Sequence, residues 1–340
     1  MAGRVLVTGG AGYVGSHTTV LLLEAGWDVV VFDDLSNGRA LAVARAVELS
    51  GRPAEVLRVD VRDRAAVARA VRARGPFDAC LHFAAKKSVA ESVLDPSGYH
   101  ATNVGGTIAL LDALVDHGTR RVVYSSSATV YGAADLESLS EDAPLAPINP
   151  YGQSKVDAER ALADAAVAHG LKVALLRYFN PVGAHPSGRM GENPRQPGNL
   201  LPLVAQVALG ELPAVEVLGT DWPTPDGTGV RDYVHVMDVA RAHLHALTWT
   251  QGRAEARAFN IGTGQGASVR EVVTEFRRAS GRPIPTVDAA RRPGDVARLV
   301  ACPARARSEL GFVPEHDLAS MVGSVWRWAR DNPHGYGDAL

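Results

Sequence analysis

The sequence predicts an α/β fold in which helices cover both faces of a doubly wound, parallel sheet. In the first half of the chain, short valine-rich runs alternate with alanine- and leucine-rich stretches of helical length. Such alternation is typical of parallel sheets with right-handed crossover helices. The strand-like runs are continuously apolar, which indicates strands that are buried on both faces. A smaller α/β domain is expected to follow toward the C-terminus.

In the first half, the predicted elements alternate between strand and helix. In chain order they cover 5–7, 15–25, 29–32, 41–49, 56–59, 65–74, 79–83, 102–117, 121–124, 151–168 and 173–176. Gly26 and Gly118 follow two of the helices, where glycine commonly ends a helix.

After Asn180 the chain becomes rich in proline and glycine, and 181–198 is predicted as a loop. Helices are predicted at 200–209, 236–249, 269–279 and 318–330, and strands at 215–218 and 258–261, with an irregular tail from 290. We expect a larger domain of residues 1–181 with about 233–265, and a smaller one of 182–232 with 266–340.

The composition narrows the class of protein. The chain has 340 residues, 46% of them hydrophobic and 21% charged, which is an ordinary globular balance. A net charge of −2 disfavours a nucleic-acid or anionic-membrane partner. Only two cysteines, Cys80 and Cys302, are present. They indicate a reducing, cytoplasmic location. The apolar run at 5–7 is too short for a secretion signal, and no run is long enough to span a bilayer.

A glycine-rich loop lies between the first predicted strand and helix. Gly9 would permit the tight turn, Gly12 the approach of a pyrophosphate, and Gly15 close packing of helix on strand. The helix N-terminus would attract the phosphates. A merely flexible turn is the alternative, but the strand before and the helix after favour a dinucleotide.

Acidic residues follow the next two strands. Asp33 stands where a carboxylate accepts hydrogen bonds from a ribose diol and repels a 2′-phosphate, which favours NAD. The nearby Arg39 leaves NADP open. Asp60 either contacts the adenine amino group or caps the following helix.

Tyr151 and Lys155 are four residues apart on a predicted helix and therefore share one face. A free tyrosine has a pKa of roughly 10, and a neighbouring ammonium favours its phenolate. An oxidised nicotinamide would add a second positive charge. We therefore expect Tyr151 to be the acid/base, and Lys155 both to favour its phenolate and to hold the nicotinamide ribose. Ser127, just past a strand predicted to end at Tyr124, either donates to a reacting oxygen or caps a turn.

The histidines do not predict a metal site. His243 and His245 are two apart on a predicted helix and would face different sides. His82 and His235 lie among apolar residues and are expected to be hydrogen-bonded core groups.

These motifs resemble the extended short-chain dehydrogenase/reductase family. The glycine loop, the Tyr-x-x-x-Lys pair and the segment Ser-Ser-Ser-Ala-Thr-Val-Tyr-Gly at 125–132 carry the resemblance, and segments 82–87, 176–188 and 227–238 narrow it to nucleotide-sugar epimerases. It implies a Rossmann sheet, a substrate domain, a tightly held NAD and a homodimer paired through helices 102–117 and 151–168. The implied activity is reversible C4 epimerisation of UDP-glucose and UDP-galactose through a 4-keto sugar.

The resemblance also implies roles for individual residues. Tyr151 would remove the proton of the 4-hydroxyl while hydride passes to NAD, and Ser127 would hydrogen-bond to O4. The keto sugar would rotate before hydride returns to its other face. Residues matching cofactor positions are Tyr13, Val14, Asp33, Asn37, Gly38, Asp60, Val61, Phe83, Lys87, Asn103, Tyr151, Lys155 and Phe179. Residues matching nucleotide-sugar positions are Asn180, Asn199, Leu200, Arg231, Arg292 and Asp295.

Two positions depart from the family pattern. Leu299 stands where members often carry tyrosine or a small residue such as cysteine, and the size of that side chain sets the room for an N-acetyl group. Leucine is intermediate in bulk between the two, so use of UDP-N-acetyl-hexosamines stays open. Leu218 replaces an aromatic residue found near the uracil in some members.

Two other functions compete with epimerisation. Dehydratases and decarboxylases of this family place an acid just after the strand-end serine or threonine, where this chain has Ala128 and Thr129. A non-catalytic dinucleotide sensor would usually lack the Tyr–Lys pair.

Overall fold

A seven-stranded parallel sheet lies at the centre of the structure, a computed structural model that describes residues 3–133, 136–193, 198–252, 254–292 and 294–337. In spatial order its strands are β10 (Ala256–Ile261), β6 (Lys172–Tyr178), β5 (Arg121–Ser127), β4 (Ala79–His82), β1 (Arg4–Thr8), β2 (Asp28–Asp33) and β3 (Ala54–Arg58). The chain order reverses between β1 and β4, and ligands of open α/β sheets bind outside the carboxyl ends of the strands at such a point.

Both faces of this sheet are buried. Val5 and Val7 belong to one apolar cluster, whereas Leu6 belongs to the cluster on the other face. The first cluster is closed by α1 (Tyr13–Glu24), α2 (Ala40–Ser50) and α9 (Val236–Trp249). The second is closed by α3 (Arg64–Arg74), α6 (Gly106–Asp116) and α7 (Pro150–His169). The predicted doubly wound α/β fold is confirmed.

Short strands build two smaller sheets. The first centres on β9 (Val230–His235), which pairs with β7 (Asn180–Val182), β11 (Gly266–Ser268) and β13 (Arg298–Leu299). The second pairs β8 (Val215–Leu218) with β12 (Thr286–Ala289). A third apolar cluster packs around α8 (Leu200–Leu209), α10 (Val269–Ser280) and α11 (Leu318–Asp331).

Asp232 on β9 ties these short strands to the large sheet. Its fully buried carboxylate accepts hydrogen bonds from the backbone N–H of Thr263, Gly264 and Ala301 at 2.8 to 3.1 Å. The Thr263 hydroxyl donates a further bond at 2.6 Å. One side chain therefore joins β9, the loop after β10 and the segment after β13.

Several stretches differ from the prediction, and the short strands β7, β9, β11 and β12 were not predicted. Strand β5 continues past Tyr124 to Ser127, because its backbone keeps pairing with β6 where the side chains turn polar. The predicted helix at 102–117 consists of a π-helical segment (Ala101–Gly105) followed by α6. Two short helices that were not predicted, α4 (Val89–Leu94) and α5 (Pro96–His100), come before it. The tail expected to be irregular contains β13 and a second π-helical segment, Ala306–Leu310.

In the part of the chain that the structure describes, we found no helix with the length and apolar character required to cross a membrane.

Candidate active site

The glycine loop leaves the N-terminus of α1 open. Gly9 has a positive φ of 72°, and a Cβ there would lie 2.5 Å from the backbone nitrogen of Ala84. A Cβ on Gly15 would lie 2.3 Å from the Gly9 carbonyl oxygen. Gly12 precedes the helix without a side-chain cap for its first N–H groups. Backbone N–H groups at a helix N-terminus, lined by residues without side chains, fit a pyrophosphate.

Asp33 lies at the carboxyl end of β2, beside this loop. Its two carboxylate oxygens accept hydrogen bonds from the backbone nitrogens of Ala11 and Leu35, each at 2.9 Å. Burial raises the pKa of Asp33, and these hydrogen bonds oppose the rise. A Cβ on Gly38 would lie 2.9 Å from one of the oxygens. Carboxylate oxygens keep further acceptor sites, so Asp33 fits the role of ribose acceptor.

Asp60 does not cap the following helix, so that alternative was wrong. The cap of α3 is Asp63, which accepts a hydrogen bond from the Ala66 nitrogen. Asp60 instead forms an ion pair with Arg62 at 2.6 Å. That partner lowers the pKa of Asp60 and keeps it ionised beyond the end of β3.

The remaining cofactor candidates lie at or beyond the carboxyl ends of the strands of the large sheet, or in the first turn of α1. The Phe83 ring lies 4.6 Å from that of His243, and the Tyr13 hydroxyl donates to the Gly183 carbonyl at 2.6 Å. Lys87 forms an ion pair with Glu192 at 3.1 Å. Val61 and Phe179 are buried, Val14 and Gly38 are partly buried, and Asn37 is exposed.

Asn103 links the loop after β4 to α7. Its side chain exchanges hydrogen bonds with both backbone groups of Lys86, at 2.8 and 3.1 Å. It also donates to the Ser154 hydroxyl at 2.8 Å, and that hydroxyl donates to the Tyr151 carbonyl. Asn103 therefore positions the first turn of α7, where Tyr151 lies.

Tyr151, Lys155 and Ser127 meet where β5 ends against α7. Helix α7 begins at Pro150, and the Asn149 side chain caps it by accepting a hydrogen bond from the Gly152 nitrogen at 2.8 Å. The Lys155 ammonium donates to the Ser125 carbonyl at 2.7 Å and lies 6.0 Å from the centroid of the Tyr151 ring.

Burial dominates the electrostatics of this pair. Loss of water lowers the pKa of Lys155 to about 7, and the charge of Glu159 acts in the opposite direction. Burial raises the pKa of Tyr151, and a hydrogen bond with Ser127 opposes the rise. In the protein alone the net effect is a raised tyrosine pKa, because desolvation of the phenolate exceeds the Ser127 hydrogen bond. The effect of Lys155 on the phenolate stays a prediction.

Ser127 also makes the capping contacts that formed the alternative prediction. Its hydroxyl oxygen accepts hydrogen bonds from the Thr129 nitrogen at 3.2 Å and the Thr129 hydroxyl at 2.9 Å. The contacts fix the serine at the end of β5, so the turn cap and the hydrogen bond to Tyr151 belong to the same side chain.

His82 and His235 are buried and hydrogen-bonded, as expected. His82 bonds to Thr8 and Thr107 at 2.6 and 2.9 Å, and His235 bonds to Ser324. His243 is buried against the Tyr178 hydroxyl at 2.5 Å.

Charged candidates for the nucleotide sugar cluster around Asp295. Arg292 lies 2.8 Å and Arg231 3.6 Å from its carboxylate. The two guanidinium groups thus converge on one point, as two ligands of a diphosphate would require.

The uncharged candidates lie on neighbouring elements. The buried Asn180 side-chain oxygen has no hydrogen-bond donor within the described ranges, and Asn199 donates to Glu192 at 3.2 Å. Leu200 begins α8 and Leu218 ends β8. Leu299 packs against the apolar cluster that contains Phe179.

Two buried charged residues close to the Tyr151–Lys155 pair in the fold were not identified from the sequence. Glu159 and Arg177 form a buried ion pair at 2.7 Å, with side chains about 5% exposed. The sequence carried only part of the signal: Glu159 follows Lys155 by four residues, and Arg177 directly follows the apolar run 173–176.

Comparison with known proteins agrees with this geometry. Residues 5–262 match the model of the NAD dependent epimerase/dehydratase family. The UDP-glucose 4-epimerase of Bacillus subtilis is 48% identical over 337 residues, which cover 98% of this chain and 99% of that protein. The corresponding protein of Yersinia enterocolitica is 45% identical, with 98% and 99% covered.

Solved structures show the same likeness. UDP-glucose 4-epimerase from Stenotrophomonas maltophila, with bound NAD and formylated UDP-arabinopyranose, superposes with a TM-score of 0.94 at 46% identity and covers 98% of this chain and 99% of its own. The Bifidobacterium longum enzyme in complex with NAD+ and UDP has the same TM-score and coverage at 43% identity. The predicted resemblance is confirmed, and the chain belongs to the NAD dependent epimerase/dehydratase family.

Proposed function

We propose that the protein interconverts UDP-glucose and UDP-galactose by inverting C4, using a resident NAD. The observation that carries the proposal is the meeting of Tyr151, Lys155 and Ser127 at the carboxyl edge of the sheet that also carries the open N-terminus of α1. Relatives that this chain matches over nearly their whole length are UDP-glucose 4-epimerases.

The dinucleotide would be held by the glycine loop, with its pyrophosphate at the N-terminus of α1 and a ribose on Asp33. The remaining cofactor candidates, from Tyr13 to Phe179, would surround it. When bound, NAD supplies the hydride acceptor and donor that inversion of an alcohol carbon requires.

The protein's own groups move the proton. Tyr151 takes the proton from O4 and later returns it, and Ser127 holds O4 by a hydrogen bond. Burial raises the pKa of Tyr151, so positive charge must favour its phenolate during the reaction. The Lys155 ammonium, 6.0 Å from the ring centroid, contributes that charge.

The nucleotide end of the substrate would lie against Arg231 and Arg292. Diphosphate oxygens would replace the Asp295 carboxylate as partners of these guanidinium groups, or share them with it. The free side-chain oxygen of Asn180 is an acceptor for a sugar hydroxyl. Asn199, Leu200 and Leu218 would complete the pocket. Leu299 is intermediate in bulk, and we propose that it admits an N-acetyl group poorly.

The test is to supply UDP-galactose and UDP-N-acetylgalactosamine separately, with no NAD added, and to quantify the C4 epimers. We expect conversion of UDP-galactose and slower conversion of the N-acetylated sugar. Denaturing the same preparation should release NAD. If no dinucleotide is released and added NAD gives no conversion, the proposal is wrong.

We further propose a homodimer and a cytoplasmic location. The outer faces of α6 and α7 form a groove with apolar residues, among them Ile108, which is 38% exposed. A second copy placing the same helices there would cover it. Light scattering at micromolar concentration should give twice the chain mass, and a monomer would refute the dimer. The two cysteines are both free, which agrees with a reducing compartment.

A further inference from the structure

A buried charge pair lies directly behind Lys155. Arg177 on β6 donates two hydrogen bonds to the Glu159 carboxylate, from Nη2 at 2.7 Å and from Nε at 3.0 Å. The Ser126 hydroxyl on β5 donates a third at 2.5 Å. The carboxylate is therefore fixed by two strands while its own helix, α7, presents it one turn after Lys155.

We infer that Glu159, held in place by Arg177, is a positioning residue that favours the ammonium form of the buried Lys155 side chain beside Tyr151. The inference rests on the proposed function, because Lys155 has this importance only if Tyr151 is the acid/base. The inference goes beyond the proposed function because it assigns the charge state of Lys155 to Glu159 and Arg177, a pair that contacts neither the substrate nor Tyr151.

The surroundings of Lys155 explain why such support is needed. Its neighbours include the Ser125 carbonyl at 2.7 Å and the Tyr124 hydroxyl at 3.3 Å, which are neutral. His82 on β4 is also neutral, since burial lowers its pKa to about 3. Glu159 is the carboxylate that favours the ammonium against desolvation.

The far side of the pair is also occupied. Arg177 donates to the Tyr131 hydroxyl at 3.0 Å and to the Glu141 carbonyl at 3.3 Å. The Glu141 carboxylate accepts from the Asn260 nitrogen at 2.7 Å and lies 3.7 Å from Arg305. Glu141 is thus partnered by other groups.

The pair predicts opposite effects for its two halves. Removing the charge of Glu159 removes the carboxylate that favours the Lys155 ammonium and leaves the Arg177 cation uncompensated, and both changes disfavour the ammonium. Removing the charge of Arg177 leaves an uncompensated carboxylate, which favours it. A purely structural role predicts a loss of stability in both variants, but it does not predict titration shifts of opposite sign, which follow from the sign of the charge removed.

The test measures the protonation of Lys155 directly. The lysines of the chain are Lys86, Lys87, Lys155 and Lys172. Lysine labelled with carbon-13 at Cε therefore gives few NMR signals, and Lys155→Met assigns the relevant one. The purified protein with its bound dinucleotide is titrated from pH 5.5 to 10. We expect the Lys155 titration to move down by about one pH unit in Glu159→Gln and up by about one in Arg177→Gln.

Two further variants separate charge from packing. Arg177→Lys keeps the cation and should titrate as the wild type does. Glu159→Leu combined with Arg177→Met removes both charges, and its Lys155 titration should lie between those of the two single variants. These two remain informative if either single variant fails to fold. Single variants that shift in the same direction or not at all, or a double variant that shifts as far as Glu159→Gln, would overturn the inference.

The result separates this inference from the proposed function. Turnover of Tyr151→Phe at the wild-type rate would refute the catalytic role of Tyr151 without changing the lysine titrations. Unmoved titrations, together with an inactive Tyr151→Phe, would refute the role of Glu159 alone.

Discussion

Adding one methyl group at Gly15 tests the geometry of the dinucleotide loop. In Gly15→Ala, the new Cβ would lie 2.3 Å from the Gly9 carbonyl oxygen and 2.9 Å from the Gly10 Cα. Both are backbone atoms, so neither can rotate away as a flexible side chain would. Because carbon contacts are favourable at about 3.5 Å, the loop and α1 must separate by about 1 Å.

The expected magnitude follows from two opposing terms. Overpacking of a tight contact costs about 1–3 kcal/mol, and replacing a helical glycine by alanine returns about 0.5–1 kcal/mol. We expect the free energy of unfolding to fall by about 1–2 kcal/mol. The displaced N–H groups should also weaken dinucleotide binding at least about tenfold, which is a loss of about 1.4 kcal/mol.

Gly323→Ala is the matched control. Gly323 lies within α11, and a Cβ there meets no neighbouring atom within 4 Å, so it gains the helical term without the clash. Both variants are unfolded in urea, and their bound dinucleotide is quantified after denaturation. If Gly15→Ala proves as stable as Gly323→Ala and retains wild-type dinucleotide content, the close-contact reasoning is wrong.

Three further outcomes are expected at the catalytic pair. Tyr151→Phe should keep its dinucleotide and lose about 10²–10⁴-fold in turnover, because general acid–base catalysis is removed. The rate of epimer formation measures this loss, and a wild-type rate would exclude Tyr151 as the acid/base. The folded protein lowers the pKa of Lys155 from 10.5 to about 7, so between these values the unfolded chain binds a proton that the folded chain does not. The stability of the wild type should therefore rise relative to Lys155→Met from pH 7 to 9, by about 1.4 kcal/mol per pH unit, and parallel urea-derived curves would contradict this. Glu159→Ala should cost about 3–5 kcal/mol, because it leaves Arg177 buried and unpaired; a urea-derived loss below about 1 kcal/mol would show that water solvates the cation.

Much of the fold followed from local pattern. The inner residues of the large sheet's central strands are buried on both faces and mostly apolar, so these runs are visible in the sequence. The glycine loop and the Tyr151–Lys155 spacing depend on short-range geometry, which the order of residues determines directly.

The rest depends on contacts between distant residues. Ser125 to Ser127 extend β5 because β6 pairs with their backbone, and no side chain signals this. Arg177 is buried because Glu159 meets it from another element. The rise in the pKa of Tyr151 on burial could not be predicted for the same reason, since burial depends on tertiary packing that spacing does not reveal.

The contacts of Asp232 determine whether the segments that it joins can separate while the rest of the protein stays folded. Its carboxylate is fully buried, and the backbone N–H groups of Thr263, Gly264 and Ala301 replace water as its hydrogen-bond donors. Moving β13 away from β9 would leave the buried Asp232 carboxylate without hydrogen-bond partners. The segments that Asp232 joins, β9 with Arg231 and the segment after β13, should therefore move together with the large sheet. Those three amides should exchange with deuterated solvent at the rate of global unfolding, whereas faster exchange would mean that these segments open by themselves.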